Sequence, residues 1–406
     1  MKNCRVSGTE IVEFLDFGKQ PLGNGFINHD QKDNEFFFNM RLGFAPKSKM
    51  VQLIEQPPAE KMFHEEYAFF SSTSNYMKSH FQKFYEEVIE SKYLSSKDSL
   101  VVELGCNDGI LLKNFSDEGY NHLGIEPSKN VAKVANANGV NTIEKFFTKD
   151  VANEIVKTKG KASAFVAANV MCHISDIREI VEAIYILLDD DGVVIFEDPY
   201  LGSVIEKTSY DQLYDEHVFL FSAHSIQYLF NEFDMELFDL KPQITHGGSM
   251  RYYLCKKGSK SISLNVEKFM KHEKDLKLDD IQTYIEFSKR VENSKSELLN
   301  ILKKLKAEGK KVAGYAATSK STTVLNYCGI GPDLIEYICD TTPIKHNKIS
   351  PGMHLPIVTY EHYKENPPDY LFLFAWNHGD EILKKELDFT NNGGKWITHV
   401  PKVSIL

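Results

Sequence analysis

No apolar run in this 406-residue chain approaches the about 18 residues needed to cross a bilayer, so a membrane-spanning helix is not expected. Positive charge is not in excess either. The formal net charge is −10, which argues against a nucleic-acid partner, because a polyanion is repelled by an acidic surface. It leaves room for a small anionic ligand in a local basic pocket. None of the six cysteines (Cys4, Cys106, Cys172, Cys255, Cys328, Cys339) forms a C-x-x-C pair, so the spacing indicates neither a zinc site nor a disulfide framework. The first residues, Met1-Lys2-Asn3-Cys4-Arg5, carry no apolar signal core, and a cytoplasmic location is the expectation. Also missing are the phosphate-cradling loops G-x-x-x-x-G-K-[ST] and G-x-G-x-x-G. No solenoid-length repeat is present.

What the chain does have is Val101-Val102-Glu103-Leu104-Gly105-Cys106-Asn107-Asp108-Gly109-Ile110, followed some twenty residues later by Leu123-Gly124-Ile125-Glu126. A strand ending in an acid, a tight glycine turn and a second acid-tipped strand form the front half of a nucleoside-binding α/β unit. The carboxylate of Glu126 suits the two hydroxyls of a ribose. Without a pyrophosphate fingerprint, the Glu-x-Gly-x-x-x-Gly form fits S-adenosylmethionine (SAM), which has no phosphate to cradle. In that case Glu103 reaches toward the cofactor's amino-acid end. The bland alternative is an unliganded strand-to-helix turn.

Hydrophobic periodicity divides the chain into three units. Residues 1–72 hold short apolar runs broken by Gly and Pro, a small β-rich unit. A helix is expected over 74–93. From Ser99 to Glu197 strands and helices alternate, which predicts a parallel sheet in a unit spanning 73–255. Residues 264–309 predict two helices split near Leu278-Asp279-Asp280. A second α/β pattern follows, with strands at Lys311–Ala316, Leu334–Asp340 and Tyr370–Ala375, within a unit spanning 256–406.

Four further clusters carry candidate chemistry. Asn169-Val-Met-Cys-His173 follows a strand, where ligands of open α/β sheets sit; the alternative is a helix start capped by Ser175. Tyr210-Asp-Gln-Leu-Tyr214-Asp-Glu216-His217 packs tyrosines, acids and a histidine together and suits acid–base work; otherwise it is a polar loop. Thr245-His246-Gly-Gly-Ser249-Met-Arg251 suggests close backbone approach to a ligand, or a structural hairpin. In Gly314-Tyr-Ala-Ala-Thr-Ser-Lys320-Ser-Thr322 small residues precede a helix and leave N–H groups for an anion. Asp340, Lys345, His346 and Lys348 follow the next strand. Helix capping plus a solvated basic loop is the alternative reading.

Together with Tyr67-Ala-Phe-Phe-Ser-Ser72, Phe196-Glu-Asp-Pro-Tyr200, Asn326-Tyr-Cys-Gly329, Pro351-Gly352 and Ala375-Trp-Asn377, these motifs resemble, in order and over nearly the whole chain, the sugar C-methyltransferases. That resemblance implies a zinc-binding N-terminal domain, a central Rossmann-like SAM methyltransferase domain and a second Rossmann-like C-terminal α/β domain. It implies methylation of a carbon on a nucleotide-linked 4-keto sugar through an enolate. Carried onto this chain, Glu103, Gly105, Asn107, Gly109, Glu126 and Asn169 hold SAM. His217, Tyr214, Glu216 and His173 do the chemistry. Tyr67, Tyr76, His246, Ser249, Arg251, Lys320, Asp340, Lys345 and Asn377 contact the nucleotide-sugar. Methylation of a sugar oxygen or nitrogen, and an inactive SAM- or nucleotide-binding scaffold, stand as alternatives. Oligomeric state is left open.

Two departures from the family pattern stand out. Of the paired zinc cysteines only Cys4 survives, with Ser7, Ala45 and Ser48 at the other positions, so no metal is expected. Asp215 stands where the family commonly has the first histidine of Tyr-His-Glu-His.

Overall fold

The computed structural model describes residues 3–62, 71 and 75–406. The N-terminal strands β1 (Val12–Pro21), β2 (Phe37–Ala45) and β3 (Met50–Leu53) pair antiparallel. In β1, Leu15 and Phe17 face inward on either side of exposed Asp16, the period-two pattern of a half-buried strand. A fourth strand comes from far down the chain: β9 (Phe219–Leu220) pairs antiparallel with β3.

The central sheet has seven strands: β4 (Val101–Leu104), β5 (His122–Ile125), β6 (Thr142–Ile143), β7 (Ala162–Ala168), β8 (Leu188–Pro199), β10 (Met235–Gln243) and β11 (Ser249–Lys256). Their order is β10-β11-β8-β7-β4-β5-β6. Strands β4 to β8 run parallel, and the hairpin β10–β11 joins β8 antiparallel. Every residue of β4 is buried, as expected for a strand with helices on both faces. Strand order reverses between β4 and β7, which opens a crevice beyond their carboxyl ends.

A six-stranded C-terminal sheet has β12 (Val312–Tyr315), β13 (Ile338–Cys339), β14 (Ile357–Val358), β15 (Tyr370–Leu373), β16 (Lys395–Thr398) and β17 (Ser404–Ile405) in the order β14-β13-β12-β15-β16-β17. This is the expected α/β architecture with a small β-rich N-terminal part.

The helices Leu264–Asp275 and Ile281–Ala307 break where predicted. Lys277 is left-handed, and the Asp280 carboxylate caps the second helix by accepting the Gln282 N–H at 2.9 Å. That helix buries Tyr284, Phe287, Val291, Leu298, Leu302 and Leu305 on one stripe. Tyr284 lies 4.6 Å from the ring of Phe44 in β2. One hydrophobic core therefore joins the N-terminal sheet, the segment from Leu201 to Leu213 and the C-terminal sheet.

Local expectations needed correction. The strand expected over Leu334–Asp340 shrinks to Ile338–Cys339, because Gly331 starts a turn whose carbonyl accepts the N–H groups of Leu334 and Ile335. The helix after His173 is capped by Asp176, not Ser175. No helix among the described residues is long and apolar enough to cross a membrane.

Candidate active site

The turn after β4 is built from backbone that ordinary side chains resist. Gly105 has φ +65°, and a Cβ there would come within 2.5 Å of Val170 Cγ2. Asn107 and Asn169, just after β4 and β7, are also left-handed, a conformation that asparagine tolerates better than most side chains. The Glu126 carboxylate accepts the Asn107 N–H at 3.1 Å and the Ser128 N–H at 2.8 Å. Burial pushes its pKa up, and those two donors hold it back. Burial also raises Glu103 to about 8, and its Oε2 has no hydrogen-bond partner among the described residues. Buried Asn169 Oδ1 likewise lacks one.

These residues open on a cavity of about 380 Å³. Gly105, Asn107, Glu126 and Asn169 line one side, with Phe146, Phe147 and Ile180. Met77 and Phe81, on the helix Asn75–Glu90, close over it. Gly109 and Glu103 stand behind the wall, Gly109 against Val140 and Ala135. A buried carboxylate at the second strand, unpaired buried oxygens near the turn and a loop crowded against Val170 fit a nucleoside cofactor with an amino-acid tail.

Tyr214, Glu216, His173 and His246 line the same cavity. His217 sits behind Tyr214, its Nε2 2.7 Å from the Tyr214 hydroxyl. Its Nδ1 lies 2.7 Å from the Gln212 carbonyl oxygen. A carbonyl only accepts, so the ring proton belongs on Nδ1, and Nε2 accepts from Tyr214. Burial, with His173 adding to it, holds His217 well below its ordinary 6.5. Burial takes His173 to about 3 as well, and the two rings stack at 5.3 Å. Both imidazoles are neutral at pH 7.

The neighbours of this loop were not foreseen. Gly23 donates its N–H to Asp215 Oδ1 at 2.8 Å, and the Asn24 amide donates to Glu216 Oε1 at 2.8 Å. Thr322 Oγ1, from the C-terminal unit, donates to the Gly23 carbonyl at 2.8 Å. A Cβ on Gly23 would meet Asp215 Oδ1 at 2.8 Å and Ser319 Cβ at 2.9 Å, so the three chain parts close around a glycine. Asp215 is buried, and desolvation with the charge of Glu216 raises it to about 8. A glycine and an asparagine in a Pro-Leu-Gly-Asn-Gly turn gave no sequence signal beyond "loop".

The remaining predicted contacts divide. Lys320, Lys345 and Asn377 line the cavity, with Thr318 and Ser319 at the start of the helix Ser319–Cys328. Burial lowers the pKa of both lysines. Asp340 instead braces this wall: it accepts the Ala317 and Thr342 N–H groups, each at 2.7 Å, and lies 3.7 Å from Lys345. Ser249 is buried and donates to the Thr245 carbonyl. Arg251 is consumed by a buried ion network, donating to Glu197 at 2.8 Å and pairing with Glu87. Burial pushes Glu197 up, but the hydrogen bond from His80 and the charge of Arg251 outweigh it and hold the carboxyl at about 2. Neither Ser249 nor Arg251 reaches the cavity wall. Tyr76 packs edge-on against His378 beside the cavity. Tyr67 lies outside the described residues.

Zinc does not fit the N-terminal knuckle. Cys4 Sγ accepts the Val6 and Ser7 N–H groups at 3.4 Å and lies 3.2 Å from Ser48 Oγ. Ser7 pairs with Thr9, and Ala45 has no donor atom. One thiol and neutral hydroxyls do not make a tetrahedral site.

A crevice at the switch point of a parallel sheet, lined by Glu126 and by a tyrosine hydrogen-bonded to a buried neutral histidine, suits a SAM-dependent methyltransferase. Residues 77–240 match a methyltransferase domain model, residues 244–401 a C-methyltransferase C-terminal domain model, and residues 4–63 a zinc binding domain model, whose metal this chain has lost the ligands to hold. The chain is 31% identical to the C-methyltransferase NovU of Streptomyces niveus, over 99% of this chain and 96% of that protein. It belongs to the sugar C-methyltransferase family. Among solved structures, a SAM-dependent methyltransferase from Anabaena variabilis aligns at TM-score 0.37 and 15% identity, covering 43% of this chain and 84% of that one. A magnesium protoporphyrin IX methyltransferase from Synechocystis aligns at TM-score 0.35 and 12% identity, covering 44% and 83%.

Proposed function

We propose that this C-methyltransferase methylates a carbon next to the ketone of a nucleotide-linked keto-sugar, by way of an enolate. The observation that carries the reading is the Tyr214–His217 pair at the cavity wall, with the histidine tautomer fixed to accept a proton. Carbon becomes nucleophilic only when a C–H proton leaves and its electrons move onto the ketone oxygen. Tyr214 takes that proton as its own passes to His217 Nε2, so the pair acts as one base. His173 and His246, both neutral and both lining the cavity, donate to the developing enolate oxygen in this reading. A preorganised donor of this kind is worth ~3 kcal/mol. Glu216, held by Asn24, orients the loop that carries the base.

SAM supplies an electrophilic methyl group when bound. Glu126 is the ribose acceptor, Asn107 and Asn169 face the rest of the cofactor, and Glu103 backs the turn that holds it. Lys320 and Lys345 offer positive charge to the nucleotide's diphosphate, beside the N–H groups that open the helix Ser319–Cys328.

The test is incubation with SAM and a panel of 4-keto nucleotide-sugars in deuterated water. The expected result is solvent deuterium at the carbon next to the ketone and a new carbon-bound methyl. Methyl transfer without exchange would instead favour an oxygen or nitrogen acceptor. Absence of both exchange and transfer across the panel would overturn the proposal.

A further inference from the structure

One cluster beside the cavity has a chemistry that methyl transfer does not use. Cys172, His173 and His217 each offer a donor atom, and these atoms all lie within 4.8 Å of one another. They come from two segments fixed by separate strands: the turn after β7, and the loop leading into β9. Cys172 and His217 are 1% and 2% exposed, so their positions are set by packing.

Two details make this more than a chance meeting of side chains. His217 Nδ1 is tied to the Gln212 carbonyl, which leaves Nε2 as the nitrogen that carries the lone pair. A ligating imidazole is ordinarily oriented in the same way, by a hydrogen bond from its other nitrogen. Asp198, at the end of β8, accepts the Cys172 N–H through Oδ2 at 3.2 Å. Its Oδ1 is buried with no hydrogen-bond partner among the described residues. One sulfur and two imidazole nitrogens are donor types that borderline cations take, with an open position left for water.

We propose that Cys172, His173 and His217 form a site for one zinc-like divalent cation, with a water from the cavity completing its shell, and that filling it silences the Tyr214–His217 pair. The cation takes the Nε2 lone pair that otherwise accepts the Tyr214 hydroxyl. Sulfur binds as thiolate, its proton passing to solvent. Metal and proton acceptance therefore exclude each other at one nitrogen. His173 lines the cavity and gives the ion its way in. Magnesium and calcium, which prefer an all-oxygen shell, are expected to be rejected.

The test needs no sugar. Cobalt(II) is titrated into the purified full-length protein, and the near-ultraviolet thiolate-to-cobalt band is followed. The expected result is a band saturating at one equivalent, displaced by zinc and untouched by excess magnesium. Cys172→Ser abolishes it, and Cys4→Ser, at the distant N-terminal knuckle, leaves it intact. His173→Gln weakens cobalt binding ~10-fold or more. Thermal melting of each variant checks folding, and His173→Gln decides the matter if Cys172→Ser does not fold. Absence of the band, its survival in Cys172→Ser or its loss in Cys4→Ser overturns the proposal.

Discussion

The two walls of the cavity are built on opposite principles. The cofactor wall is local. Its strands are neighbours in one sheet, and its key hydrogen bond, Asn107 to Glu126, spans 19 residues. Much of what it offers is backbone held in left-handed turns. The acceptor wall is assembled from the whole chain. Gly23 reaches Asp215 across 192 residues, and Thr322 reaches Gly23 across 299. A nucleoside cofactor can thus be held by one compact motif. On the proposed assignment the acceptor depends on how three chain parts meet, so a change at that junction alters acceptor choice and spares the donor wall.

The sharpest way to break this comparison is at the base. Tyr214→Phe and His217→Asn are each expected to lower kcat ~100-fold or more, with SAM affinity by calorimetry unchanged. A loss of SAM binding in either would mean that the walls are not separable. Glu126→Ala tests the other wall. It removes a buried acceptor from two N–H groups and should weaken SAM binding ~10- to 100-fold, with kcat at saturating SAM nearly intact.

Asn24→Ala probes the long-range junction. Loss of its hydrogen bond to Glu216 should lower kcat ~10-fold and leave SAM affinity alone, although the residue lies in the N-terminal unit. The smallest effect expected is on stability against pH. Glu103, Asp198 and Asp215 are all raised to about 8, so the folded chain retains protons there that the unfolded chain releases. Their contribution is present at low pH and lost as pH rises through about 8. His173 and His217 are lowered, so they favour the folded state above ~6.5 and cost stability below it. The melting temperature should therefore fall between about pH 6.5 and 8.5, and Glu103→Gln should flatten that slope.

How much of this was legible in the sequence follows the same division. The glycine turn, Glu126 and the β–α alternation are short-range patterns, and they led to the cofactor wall directly. The Tyr214–His217 cluster was legible because its density of functional groups is local too. Arg251 is given to the substrate by the family resemblance and its place in the His246–Arg251 motif. Nothing near it in sequence revealed Glu87, 164 residues away, or Glu197, which absorb its charge inside the protein. Gly23 and Asn24 were missed for the same reason, since their partners lie on other units. Periodicity reports what a segment can become, whereas contacts between units depend on tertiary docking.

Only Val218 separates His217 from β9, and the Val218 carbonyl accepts the Leu53 N–H at 2.8 Å. The loop bearing the proposed base thus ends as a strand of the N-terminal sheet. Units drawn along the chain and units that share a task do not coincide here. Removing residues 1–72 would strip β9 of its partner strand and leave an open edge beside the chemistry. Grafting the N-terminal unit of a relative would replace the surface on which that loop is registered. Chimeras joined near residue 72 should accordingly inherit donor behaviour from the central sheet and acceptor behaviour from both parents.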